Sequence, residues 1–155
     1  MTLPSNAQWI RQAQVVVGKS GSGLLIDQLK IEFIVTKTIG STPNPALIKI
    51  YNLNPNNETL IHDEYTDIIL NVGYQNNVRI LFSGNIKHVF KYKQKTDYIT
   101  EIEAADGDYD YRNSTLNETL AAGTTRDHIV SKAVASFSGG TTKGYVALDP
   151  YTNLR

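Results

Sequence analysis

The chain has 155 residues, with fifteen lysines and arginines against fifteen aspartates and glutamates, and it contains no cysteine. Zero net charge and a pI of about 6.8 argue against a protein whose main task is to hold nucleic acid, which needs clustered cations to neutralise phosphates. The absence of cysteine excludes disulfides and thiolate metal sites. No apolar run approaches the roughly 20 residues that cross a bilayer, and Met1-Thr2-Leu3-Pro4 does not open like a signal peptide.

Met1 to Arg11 mixes polar groups with Trp9 and Ile10 and reads as an arm, the tryptophan serving as a local core plug. Gln12 to Val17 is a short apolar strand, and Gly18-Lys19-Ser20-Gly21-Ser22-Gly23 is a flexible hairpin connection to Leu24-Leu25-Ile26. Gly18-Lys19-Ser20 is not a phosphate-binding loop: the full pattern needs glycine where Ala13 stands, and a helix where glycines and a strand follow. Leu29 to Leu53 is expected to hold the pair of strands that organises the chain. Leu29, Ile31, Phe33 and Val35 alternate with Lys30, Glu32, Ile34 and Thr36, the period of two that places one strand face on a core. Ser41-Thr42-Pro43-Asn44-Pro45 forms a turn, because neither proline can donate to a ladder. Ala46, Ile48, Ile50 and Asn52 then alternate with Leu47, Lys49, Tyr51 and Leu53. Both faces of this strand carry large apolar groups, so each needs cover from its own chain or from another subunit.

Asn54 can cap a short helix that runs to His62, with Pro55 at its first position, where a missing N–H costs little. Asp67 to Tyr74 sets Ile68, Leu70, Val72 and Tyr74 on one face and Ile69, Asn71 and Gly73 on the other. A long hairpin is expected next, with Ile80, Phe82, Gly84, Ile86, His88, Phe90 and Tyr92 inward and Leu81, Val89 and the lysines outward, and a bend or bulge at Gly84. The return strand turns Tyr98, Thr100, Ile102 and Ala104 inward. An odd-numbered loop around Lys95 then sets the outward lysines opposite Glu101 and Glu103, a self-paired solvated face rather than a nucleic-acid patch.

Asp106-Gly107-Asp108-Tyr109-Asp110 lacks the glycine (Tyr111 stands there) and the glutamate (Asn117) of a helix-loop-helix calcium loop, and reads as an acidic turn closing the barrel. Arg112 to Leu120 is polar and extended. Thr124 with Asp127 resembles a capping box for a helix of about 13 residues, in which Ile129, Val130, Ala133, Val134 and Phe137 recur at helical spacing before Ser138-Gly139-Gly140 ends it. Tyr145 to Leu148 is a last short strand. The fold class is mainly β: an antiparallel barrel or sandwich over residues 1–107, then a short α+β segment over 108–155 that resembles the start of a second domain. Neither His62 nor His128 has a carboxylate or histidine at ligand spacing, and no nucleophile, base and orienting acid converge in order. No catalytic, cofactor-binding or metal-ligating residue is expected, and no enzymatic activity.

Several blocks in one order over about residues 12 to 137 resemble the baseplate hub or tail-tip proteins of tailed bacteriophages, related in architecture to the hubs of contractile injection machines. They are Leu29-Lys30-Ile31-Glu32-Phe33-Ile34-Val35-Thr36-Lys37-Thr38, Pro43-Asn44, Ile48-Lys49-Ile50-Tyr51-Asn52-Leu53, Leu70-Asn71-Val72-Gly73-Tyr74, Leu81-Phe82-Ser83-Gly84-Asn85-Ile86 and Ala104-Ala105-Asp106-Gly107-Asp108. The resemblance implies a tail-tube-like β-barrel, then a helix opening like Thr124-Thr125-Arg126-Asp127, and family members run on through further domains. It implies a structural protein of the virion tail, assembled in the bacterial host cytoplasm, that joins the tube to the tip or spike and lines the genome channel. The implied partners are copies of itself in a ring, a trimer or a hexamer, together with the tail tube protein and tip or spike proteins. No sequence-specific nucleic-acid binding and no transmembrane segment are expected. Subunit contacts are expected at Leu47, Tyr51, Leu53, Ile69, Leu81 and Val89. The alternative is a β-sandwich binding module of a phage tail or prophage element that recognises host glycan or protein, with Tyr92, Tyr98, Tyr109 and Tyr111 as candidate platforms.

Overall fold

The alternating apolar stretches fold into one antiparallel sheet of seven strands in the computed structural model, which describes residues 10–19, 21–63, 66–75 and 77–147. Of the expected arm, residues 1–9 with Trp9 fall outside these residues, while Arg11 opens the first strand. The strands are β1 (Arg11–Lys19), β2 (Ser22–Ile26), β3 (Ile31–Val35), β4 (Pro45–Tyr51), β5 (Asp67–Tyr74), β6 (Asn77–Gln94) and β7 (Asp97–Ala105). Their spatial order is β2-β1-β5-β6-β7-β4-β3. Helix α1 (Pro55–Asp63) bridges β4 to β5 and starts as its sequence dictates, with Asn54 Oδ1 accepting from the Asn56 amide at 2.9 Å. The protein is therefore mainly β with a few short helices.

The pleat decides which residues are inside. Val15 and Val17 of β1, Ile26 of β2, Ile48 and Ile50 of β4, Ile68 and Leu70 of β5, Phe82 of β6 and Ile102 of β7 form one buried cluster with Leu53 and with Ile61 of α1. Seven strands laid flat would span about 30 Å. Ile26 comes from one end strand, and Ile31 and Val35 of the other end strand pack against the same cluster, so the sheet curls around it.

The expected organising pair occupies the margin. β3 is a terminal strand, and β4 lies between it and β7. The turns beyond β4 and β7 are tied together: Asp106 Oδ1 accepts from the Asn44 amide at 2.5 Å and its Oδ2 from Asn44 Nδ2 at 3.0 Å, while the Asp106 amide donates to the Asn44 carbonyl at 3.2 Å. Both carboxylate oxygens of Asp106 are occupied this way, which accounts for the Pro-Asn-Pro and Asp-Gly turns without an ion.

Strand β6 is where register reasoning from the sequence fails. Residues Asn77 to Asn85 pair with β5 and residues Asn85 to Gln94 with β7, so one strand of 18 residues belongs to two ladders in succession. Two bulges flank the handover. Leu70 pairs with Phe82 but Asn71 with Ile80, which leaves Leu81 extra; Ile86 pairs with Ala104 but His88 with Glu103, which leaves Lys87 extra. Each extra residue reverses the alternation in the residues beyond it. Ile80, His88, Phe90 and Tyr92 are therefore exposed instead of inward, and Leu81 and Val89 pack against the core instead of facing out. The turn is a two-residue one, Lys95-Thr96, with Lys95 at φ 57°, so Lys91 faces Thr100 and Lys93 faces Tyr98, not the glutamates. Gly84 sits at the bend because nothing larger fits: a Cβ there would lie 2.4 Å from the Ala105 carbonyl oxygen and 2.8 Å from Phe82 Cζ.

The chain divides into two compact units after Asp108. The second contains most of α2 (Asp108–Asn113), a stretch the sequence reads as polar and partly extended, and α3 (Arg126–Ala135). Helix α3 has 10 residues, fewer than expected, and its cap is Thr125 rather than Thr124, with Thr125 Oγ1 accepting from the His128 amide at 3.3 Å. Asp127, expected in the capping box, is paired with Lys143. The Asp110 carboxylate accepts from the Gly139 amide at 2.5 Å and from the Thr141 amide at 3.1 Å, which ties the glycine turn after α3 to α2. Hydrogen bonds from Thr141, then Gly139, hold its pKa below the ordinary aspartate value, against the opposing effect of burial. Tyr145 to Ala147 form no strand.

Candidate assembly surface

The outer face of the β3-β4-β7-β6 half of the sheet is built from the residues that alternate with the core. Cross-strand pairing makes two rows there: Glu32, Lys49, Glu101 and Phe90 in one, and Ile34, Leu47, Glu103 and His88 in the next. The first row is a closed polar network. Lys49 Nζ lies 3.0 Å from Glu101 Oε2, the Tyr92 hydroxyl donates to Glu101 Oε2 at 2.9 Å, and Lys49 Nζ donates to the Tyr92 hydroxyl at 3.2 Å. The Tyr51 hydroxyl donates to Glu32 Oε2 at 2.9 Å, and Lys30 pairs with Glu32 at 2.7 Å while lying 4.0 Å above the Tyr51 ring. The hydrogen bond to Lys49 is the main cause that lowers the Glu101 pKa, and the bond to Glu101 raises that of Lys49. Lys30, then Tyr51, lowers that of Glu32. Every charge in this row already has its partner, so the row fixes the pairing of four strands and leaves little to gain from a new charged ligand.

The second row is apolar at its margin. Ile34 is 65% exposed, and beside it a hollow of about 330 Å³ is bounded by Leu47, Pro45, Thr36, Lys87 and Glu103. On the other half of the sheet Leu25, Val16, Ile69 and Ser83 form a third outer row, with Leu25 exposed and Val16 and Ile69 half-buried. Polar backbone is available as well. Among the described residues no strand pairs with the outer side of β2 or β3, nor with the second side of either half of β6. Open edges of this kind are templates for pairing with another chain.

Of the six residues expected at subunit contacts, Leu47, Tyr51 and Ile69 lie half-buried on the outer face. Leu53 is part of the core, and Leu81 and Val89 pack against it, the last two because of the bulges. Ile34 and Phe90 are outer-face groups outside that set. Ile34 is legible from the alternation in Ile31-Glu32-Phe33-Ile34-Val35, whereas Phe90 requires knowledge of the bulge at Lys87. Tyr92 and Tyr98, expected inward, are both exposed, but on opposite faces of the β6–β7 ribbon, so they do not make one platform. His88 is exposed, with its ring 6.0 Å from Phe90. No group of three or more metal-ligating side chains converges among the described residues, and no helix among them is long and apolar enough to cross a membrane. No protein-family model matches the chain, and no curated protein matches it.

Proposed function

We propose that the chain is a structural subunit of a bacteriophage tail, a baseplate-hub or tail-tip adaptor that self-associates into a ring, joins the tail tube to the tip or spike and borders the genome channel. The observation that carries this is β6: among the described residues each of its halves pairs on one side only, which leaves backbone edges open next to the apolar rows of exposed Ile34 with Leu47 and of Val16 with Ile69. Edge hydrogen bonds fix the register between neighbours, and apolar rows supply the area. Contacts through different edges on two copies are head-to-tail, an arrangement that closes into a ring when the rotation per subunit divides a full turn. The blocks from Leu29 to Asp108 that resemble tail hubs add the biological setting. A role of this kind needs no converging catalytic groups.

Two measurements test it. Native mass spectrometry of the purified chain should give a closed oligomer, a trimer or a hexamer, that dissociates when Ile34 is replaced by Lys. Immunogold electron microscopy of a lysate should place label at the tail end distal to the capsid. A monomer at all concentrations, or label along fibres, would overturn the assignment.

A further inference from the structure

Between Lys87 and Tyr98 the β6–β7 ribbon carries four lysines and one aspartate, in a chain whose net charge is zero. With the register that the bulge imposes, cross-strand glutamates do not neutralise them. Lys91 pairs with Glu58 of α1 at 2.6 Å, and Lys87 lies 3.7 Å from Asp108. Asp97 is hydrogen-bonded by Asn52 Nδ2 at 2.9 Å. Lys93 and Lys95 have no carboxylate within ion-pair distance among the described residues. The Tyr98 ring is half exposed, with the Lys91 and Lys93 ammonium groups 5.8 Å and 5.3 Å from its centroid. Beside it opens a hollow of about 450 Å³, lined by Asn52, Leu53, Pro55, Glu58, Lys91 and Thr100.

We infer that this ribbon tip is a weak, sequence-independent contact for single-stranded nucleic acid, with Lys93 and Lys95 meeting phosphates and Tyr98 stacking on a base at the mouth of the hollow. Unpaired cations next to an exposed ring are the two elements that such contacts combine. A duplex uses only the first, because its bases are already stacked. The hollow offers amide, hydroxyl and carboxylate groups to a base edge, beside apolar Leu53 and Pro55. Such a contact is independent of the tail assignment, and its test does not depend on oligomeric state.

Fluorescence anisotropy of a labelled oligothymidylate of about 20 nucleotides, titrated with the full chain at about 50 mM salt, should show saturable binding. The expected Kd is on the order of 10⁻⁴–10⁻⁶ M and rises severalfold when salt is raised to about 200 mM. Lys93→Glu with Lys95→Glu, both at exposed positions, should weaken binding about tenfold or more, and Tyr98→Ala about fivefold or more. A duplex of equal length should bind less tightly. Absence of saturable binding, an unchanged Kd in the charge-reversed variant, or a duplex bound at least as tightly as the single strand would each overturn the inference.

Discussion

In the sheet unit Ile48, Ile50, Ile68, Leu70 and Ile102 are fully buried, whereas beyond Asp108 helix α3 has no buried residue and the buried side chain among the described residues is the Asp110 carboxylate. The first unit is thus stabilised by apolar area removed from water, and it fails through cavities and trapped charges. The second depends on hydrogen bonds at a few points, the Thr125 cap and the Asp110 tie, so it loosens locally when one is removed.

The largest effect that can break this contrast is Ile50→Asp, which places an unpaired charge at a fully buried site. A cost above about 4 kcal/mol is expected, against a total stability of about 5–15 kcal/mol for a domain. Insoluble or unfolded protein is the expected outcome, and soluble mutant with a cooperative melt would refute the core assignment. Gly84→Val drives a branched side chain into the Ala105 carbonyl and should cost about 1–3 kcal/mol. The expected readout is a lower urea midpoint at unchanged slope, and an unshifted midpoint would show that the bend tolerates a Cβ. Thr125→Ala should remove about 1 kcal/mol from α3 alone, seen as a loss of helical amide protection with the sheet amides unaffected. Asp110→Asn should act still more locally, speeding amide exchange at Gly139 and Thr141 without moving the melt of the sheet. The wild-type protein allows the same test by pH. The folded pKa of Asp110 lies below its ordinary value of 3.8, so its contribution is complete above about pH 4 and is lost as pH falls through the lowered value. Equal loosening of both units on acidification would contradict their separation.

Much of the fold was legible because strand alternation and turn chemistry are local. The extents of β4, β5 and α1 follow closely from apolar spacing, from the proline turn and from the Asn54-Pro55 start, whereas β1 and β2 run on through Gly18-Lys19 and Ser22-Gly23, which their composition marks as a flexible connection. Legibility stops where the outcome depends on a partner strand. Nothing in Arg79 to Lys93 itself shows that Leu81 and Lys87 are extra residues, since a bulge is defined by the opposing ladder, and Gly84 hints only that one is near. The inward assignment of Tyr92 and the outward one of Val89 fail together for that single reason. Short helix α2 escapes notice because six residues are too few to show a period. At the candidate surface, Leu47, Tyr51 and Ile69 could be read from two-faced strands, but Leu53 could not be told from them, because its burial is set by packing in the core cluster with Ile61 of α1.

The two bulges in β6 also cancel. Side chains alternate with period two, so one extra residue at Leu81 and one at Lys87 together restore the original parity. Odd-numbered Lys91 and Lys93 lie on the face that odd-numbered Arg79 occupies, while between the bulges that face belongs to even-numbered Phe82, Gly84 and Ile86. Either bulge alone would turn one arm of the strand inside out. Loss of Leu81 or Lys87 itself would straighten the ladder and leave both arms facing as they do, whereas loss of a paired residue such as Ser83, with both bulges kept, would turn one arm over.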